Sequence, residues 1–249
     1  NGYIFRYAAI MVIIAAAVLS TAAMLLKPFQ EKNVAIDKMG GILASAKIPD
    51  VDASNAMSLF NKYVKEEIVI NQDGDVVESY KEGKMEDGKA FKIDMKRELY
   101  KKSKGEPYEL PLYVIEDGSQ KLFIIPFRGI GLWGPIWGNM ALNDDLNTIV
   151  GVTFDHKGET PGLGAEIVAD FFTKQFIGKK IFNDKNEFMS IMVVKGGIEK
   201  LPKNQRIHGV DAITGGTITC NGVNDMIKDI LESYLPYLQK KQIEDECRS

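Results

Sequence analysis

Cysteine and histidine are scarce in this chain of 249 residues, at two each: Cys220 and Cys247, His156 and His208. Two cysteines so placed do not make a disulfide framework. Without a CxxC pair and with single histidines on expected loops, no zinc or haem site is expected. Each histidine reads as a surface or hydrogen-bonding residue. The formal net charge is only -3, which excludes the electrostatic footprint of a nucleic-acid binder. Nucleotide loops are missing as well. "TPGLGAE", 160–166, holds G-x-G but lacks the third glycine, and "GGTIT", 215–219, lacks the Gly-Lys-Ser/Thr ending of a P-loop. No Ser-His-Asp set is suggested. There is no repeat and no long Ser/Pro linker.

One long apolar run is present. "YAAIMVIIAAAVLSTAAMLL", Tyr7 to Leu26, is uncharged between Arg6 and Lys27. As a helix it is roughly 30 Å long at about 1.5 Å per residue, the thickness of a hydrocarbon core. A buried core helix rarely stays apolar on every face for so long. The run is also long for a cleaved signal peptide, although Ser20 to Ala23 would suit a peptidase. A retained anchor is therefore expected over residues 1–30, with Tyr3, Phe5 and Tyr7 at the interface. Charge leaves the orientation open, since Arg6 lies on one side and Lys27 and Lys32 on the other.

Downstream, 31–48 alternates loosely and breaks at Gly40-Gly41. "DASNAMSLFNKYVKEEI", 52–68, predicts a helix with Ala56, Leu59, Phe60, Tyr63 and Val64 on one face. "IVINQDGDVVES" predicts a hairpin around Asp73-Gly74. "FKIDMKRELYKKSKGE", 91–106, reads as strand or helix. "LPLYVIEDGSQKLFIIPF" predicts two strands around a turn at Glu116 to Ser119. "NTIVGVTFDHKGE" and "FMSIMVV" predict further strands, and "GAEIVADFFTKQFIG" a helix with Ile167, Phe171 and Phe172 apolar-side. The last helix is expected from about Thr219 or Asn221. The whole reads as one anchor plus one α+β domain, 31–249, with a mostly antiparallel sheet.

Three segments carry candidate chemistry. "RGIGLWGPIWGNMALN", 128–143, holds both tryptophans, Trp133 and Trp137, among glycines that forbid a regular helix. It reads as a loop wrapping a flat ligand, or as tryptophans capping a core edge. In "HKGETPGLGAEI", Thr160, Gly162 and Gly164 would offer backbone amides to an anion or a polar ring edge; alternatively this is a capped loop with Glu159 solvated. In "DAITGGTITCNG", 211–222, Thr217 lies just before the first turn of the last helix, where unpaired amides and the helix dipole favour a phosphate. Plain helix capping accounts for the same residues.

"DAITGGTIT" resembles the flavinylation motif of membrane-anchored FMN-binding domains. With "GLWGPIWG", "NTIVGVTF", "GETPGLGAEI" and "TCNGV" in the same order, nearly the whole chain is similar to the C subunits of Na+-translocating NADH:quinone oxidoreductases. The resemblance implies FMN bound covalently by a phosphoester at Thr217, with Gly215 and Gly216 beside it and Asp211 helping to present the motif to a flavin transferase. Thr160, Gly162, Leu163 and Gly164, with Trp133 or Trp137, would line the isoalloxazine. Gly216 departs from the family's usual alanine; the threonine hydroxyl is unaffected. The resemblance further implies an electron-transfer subunit with no catalytic residue of its own, depending on membrane and NADH-oxidising partner subunits and on membrane lipid. It would span the bacterial cytoplasmic membrane once, with its soluble domain on the periplasmic side. The rival readings are the G subunit of an Rnf-type ferredoxin:NAD+ oxidoreductase and a flavin-free membrane-tethered assembly subunit.

Overall fold

The computed structural model describes residues 2–118 and 120–246. Ser119 of the expected turn and Cys247 lie outside the described residues. The chain divides into two units, one ending at Met39 and the other starting at Gly40.

The first unit belongs to helix α1, Gly2–Ser45, whose apolar 18-residue window is entirely unburied. Helix α1 is long and apolar enough to cross a membrane. The Thr21 hydroxyl donates to the Ala17 carbonyl at 2.8 Å, so this polar side chain is satisfied within the helix. The alternation read in 31–48 is helical: α1 continues through Pro28 and Gly40-Gly41 to Ser45. Burial of Ile42 and Leu43 overrides the weak helix propensity of the two glycines.

The second unit is built on a six-stranded antiparallel sheet in the order β2-β1-β3-β4-β5-β6. Its strands are β1 Val64–Asn71, β2 Val76–Tyr80, β3 Glu109–Asp117, β4 Gln120–Ile130, β5 Pro135–Leu142 and β6 Ile149–His156. The Asp73-Gly74 hairpin forms as expected, with the Asn71 side chain accepting from the amides of Asp73 and Asp75. The expected helix over 52–68 shortens to α2, Ala56–Tyr63, because Val64 onward joins the sheet beside β3. The ambiguous stretch 91–106 is largely helical: α3 is Lys89–Lys92 and α4 is Met95–Ser103, capped by the Asp94 side chain on the Lys96 amide at 2.9 Å.

The tryptophan-bearing segment is mostly sheet and not loop. Arg128 to Ile130 end β4, residues 131–134 turn, and β5 follows at once, closed by Gly131 N–H donating to the Gly134 carbonyl at 2.8 Å. Beyond β6 the expected single helix is a 3₁₀ turn Gly164–Val168, the short helix α5 Asp170–Thr173, and a second 3₁₀ turn Lys174–Phe176. Ile167 and Phe172 are buried as expected, but Phe171 is exposed, because the broken segment does not keep one helical face. Strands β7 Met192–Val194 and β8 Gly209–Asp211 pair in parallel, and helix α6, Thr217–Glu246, closes the chain.

Both faces of the central strands are covered, which explains their continuous apolar runs. One face, with Phe123, Ile125, Phe127 and Met140, shares a core with Val223, Met226, Ile227, Ile230 and Leu231 of α6. The opposite face carries Tyr113 and Ile124, with Phe60 of α2 packed at 6.0 Å from the Tyr113 ring. Pro236 sits inside α6, which alone would cost about 3 kcal/mol. Burial of Tyr234, Tyr237 and Leu238 around it, about 1.5–3 kcal/mol for a large apolar side chain, offsets that cost.

Candidate functional site

Helix α6 starts earlier than the sequence suggests. The Gly216 carbonyl accepts the Cys220 amide at 2.9 Å, so Gly216 takes the N-cap position and Thr217 falls in the first turn. Gly216 has no side chain to cap the helix, and the first turn holds no acidic residue. Its leading amides therefore remain suited to an external anion. Ahead of them, Ile213 to Gly216 form a tight turn, with Gly216 N–H on the Ile213 carbonyl at 3.1 Å and Gly215 at φ +80°. That left-handed position is why a glycine belongs at 215.

The three threonines differ sharply in access. Thr214 is exposed, Thr217 half-buried and Thr219 buried. Residues 217 and 219 are about 200° apart on a helix, so one faces out when the other faces in. Thr219 does not cap α6. Its hydroxyl donates to Glu159 Oε2 at 2.6 Å. Glu159 is not the solvated loop residue of the capping interpretation: it is 5% exposed, and Oε1 accepts the Trp133 amide at 2.8 Å. Its own amide donates to His156 Nδ1 at 3.1 Å, while His208 Nδ1 lies 2.6 Å from the Lys180 carbonyl oxygen. Both histidines are thus hydrogen-bonding residues.

The loop 160–164 lies against the glycine pair. A Cβ on Gly216 would stand 3.3 Å from the Leu163 carbonyl oxygen, and one on Gly215 2.6 Å from the Leu163 side chain. Gly164 is packed on Thr219. Thr160 and Gly162 are exposed in the same loop, but the Gly162 amide is occupied by Glu166 Oε1 at 2.9 Å. Trp133, 67% exposed, joins the cluster through its amide. Trp137 does not: it follows Ile136, a core residue, on β5, so by strand alternation it stands on the other face of the sheet. Asp211 is also set apart, its carboxylate accepting the Ile198 amide at 2.7 Å and its amide donating to Gln175. Beneath the site, burial pushes the Cys220 thiol upward from its ordinary pKa, and its sulfur accepts the Ile213 amide at 3.3 Å.

The result is a half-buried threonine on a helix N-terminus, with Ile130, Leu132, Trp133, Leu163 and Ile218 exposed on the segments around it. Exposed apolar side chains so gathered suit a flat apolar group, and the uncapped helix end suits a phosphate. The sequence offers Glu159 only as a solvated loop residue. Its partners lie 26 and 60 residues away, so no local pattern signals them.

The FMN-binding domain family matches residues 131–232, which include Thr217. Among curated relatives, the C subunit of the Na(+)-translocating NADH-quinone reductase of Haemophilus ducreyi is 31% identical over 92% of this chain and 89% of its own length. The protein of the same name from Vibrio campbellii is 34% identical over 85% of this chain and 83% of its own. Among solved structures, that of the corresponding protein from Parabacteroides distasonis superposes with a TM-score of 0.72 at 39% identity, covering 86% of this chain and 96% of the other.

Proposed function

We propose, because the chain belongs to the family of Na(+)-translocating NADH-quinone reductase C subunits, that it is the electron-transfer subunit of such a complex and carries FMN esterified through its phosphate to Thr217. The carrying observation is the half-buried Thr217 in the uncapped first turn of α6, inside the matched FMN-binding region. The hydroxyl oxygen would form the bond to phosphorus, and the α6 amides would hold the phosphate oxygens. FMN supplies one-electron redox chemistry when bound. The protein positions it: Leu163 and Trp133 would flank the ring, Gly215 and Gly216 would leave it room, and Asp211 would steady the motif before a flavin transferase. The C-subunit names of the relatives support this reading over an Rnf-type G subunit, and the FMN-binding match supports it over a flavin-free assembly subunit.

Residues 1–30 would anchor the chain in the cytoplasmic membrane, with 31–249 as the extracytoplasmic FMN-binding domain. Ala15 to Ala23 offer small residues for packing against partner subunits. The decisive experiment is the intact mass and in-gel flavin fluorescence of chain made with a flavin transferase. Wild type should carry one added FMN, and Thr217→Ala none. Folding should survive, since Thr217 is only half-buried and Gly216 holds the N-cap position. Thr214→Ala and Thr219→Ala should stay labelled; a bright Thr217→Ala band would refute the assignment.

A further inference from the structure

We infer that Glu159 is a positioning residue for the flavin: its buried carboxylate locks the Trp133 loop onto the first turn of α6 and so sets the tryptophan relative to the group on Thr217. This rests on the assignment of FMN to Thr217. One oxygen accepts the Trp133 amide at 2.8 Å and the other the Thr219 hydroxyl at 2.6 Å. Thr219 stands two residues beyond Thr217, on the same turn of α6. The Glu159 backbone is itself pinned to the end of β6 by its amide on His156. The carboxylate therefore joins three chain segments at one point.

Two further observations point to a purpose beyond packing. Trp133 is 67% exposed, so little core contact holds it, and the bond from its amide to Glu159 fixes the backbone that carries the indole. The carboxylate is also closely enclosed. A Cβ on Gly131 would stand 2.6 Å from Oε1, and one on Gly164 2.6 Å from Oε2. No cation forms a salt bridge with Glu159 among the described residues. Burying a carboxylate is costly unless its oxygens are hydrogen-bonded. An apolar side chain would close the same space without that cost, but apolar contact has no direction. Bonds from an amide and a hydroxyl to the two carboxyl oxygens fix distance and angle together.

The test uses the full chain with its flavin, in Glu159→Gln and Thr219→Val. Intact mass should show flavin retained in both. Flavin emission should move toward the level of Trp133→Ala, and the flavin midpoint potential should shift. In a Trp133→Ala background, Glu159→Gln should add no further change in emission, since the two act through one contact. A flavin-free readout accompanies these: in Thr217→Ala/Trp137→Phe, the fluorescence anisotropy of Trp133 should fall when Glu159→Gln is added. Folded Glu159→Gln with wild-type emission, potential and anisotropy would overturn the inference, as would loss of the flavin itself. If Glu159→Gln does not fold, Thr219→Val carries the same decision. A wild-type chain lacking the FMN mass instead sinks the Thr217 assignment; the anisotropy arm then still reads whether Glu159 holds Trp133.

Discussion

Helices α1 and α6 are the two long helices among the described residues, of 44 and 30 residues, and each contains a proline. Their apolar residues are arranged in opposite ways. In α1 large apolar side chains are exposed on every face from Tyr3 to Leu26. In α6 the buried residues Val223, Met226, Ile227, Ile230, Leu231, Tyr234 and Leu238 form one stripe at helical spacing, with Asp225, Lys228 and Glu232 outside. A stripe needs a sheet to lie on, and β4 provides it. An all-round apolar surface needs an apolar solvent. Each large side chain left in water forgoes about 1.5–3 kcal/mol of burial, so α1 makes physical sense in a bilayer and α6 does not need one. The contrast also explains where chemistry can sit. The first turn of α6 lies on a rigid core yet ends in open amides, whereas α1 keeps its polar groups satisfied internally.

The largest effect that would break this comparison is location. The full chain should stay with membranes through an alkaline carbonate wash, and a chain lacking 1–30 should be soluble with its cooperative unfolding intact. Release of the full chain would remove the reason for α1's composition. Next in size is core stability. Leu231→Ala should destabilise the domain by about 2–5 kcal/mol in urea unfolding, while Leu19→Ala should stay within about 0.5 kcal/mol of wild type. Equal losses would mean that α1 packs as a core helix. A smaller effect separates the two tryptophans around the α6 terminus. Trp133→Ala should raise flavin emission by removing a quencher, and Trp137→Ala should leave it unchanged, because Trp137 stands on the other sheet face. A response in Trp137→Ala alone would reverse their roles.

The smallest effect concerns Cys220, one turn into α6. Burial raises its thiol pKa above the ordinary 9.0. Its contribution to stability is therefore complete below pH 9.0 and declines as pH rises through the folded value. In a Cys247→Ser background the native thiol should resist alkylation at neutral pH and react once urea unfolds the domain. Rapid labelling of folded protein would show that the α6 terminus opens.

Much of the fold was readable from short-range pattern. The hairpin at Asp73-Gly74, the apolar runs of β3 and β4, and the amphipathic stripe of α6 all follow from alternation and turn residues within a few positions of one another. The misreadings have equally definite causes. The glycines at 129, 131, 134 and 138 suggested an irregular loop, yet a sheet paired on both sides of β5 holds most of that segment extended. The run 164–178 kept helical spacing for Ile167 but was cut into short turns, leaving Phe171 in solvent.

The sequence by itself determined that this chain has an apolar helix long enough for a bilayer, an antiparallel α+β domain, and a threonine beside two glycines at a helix start. Those properties depend on composition and on spacing over a few residues, which a linear chain carries in full. Which threonine faces out, which tryptophan lies near it, and that a glutamate is buried against Trp133 and Thr219 were decided by tertiary structure alone. Glu159 meets Trp133 and Thr219 across 26 and 60 residues. A hydrogen bond depends on distance in space, and the path of the whole chain sets that distance.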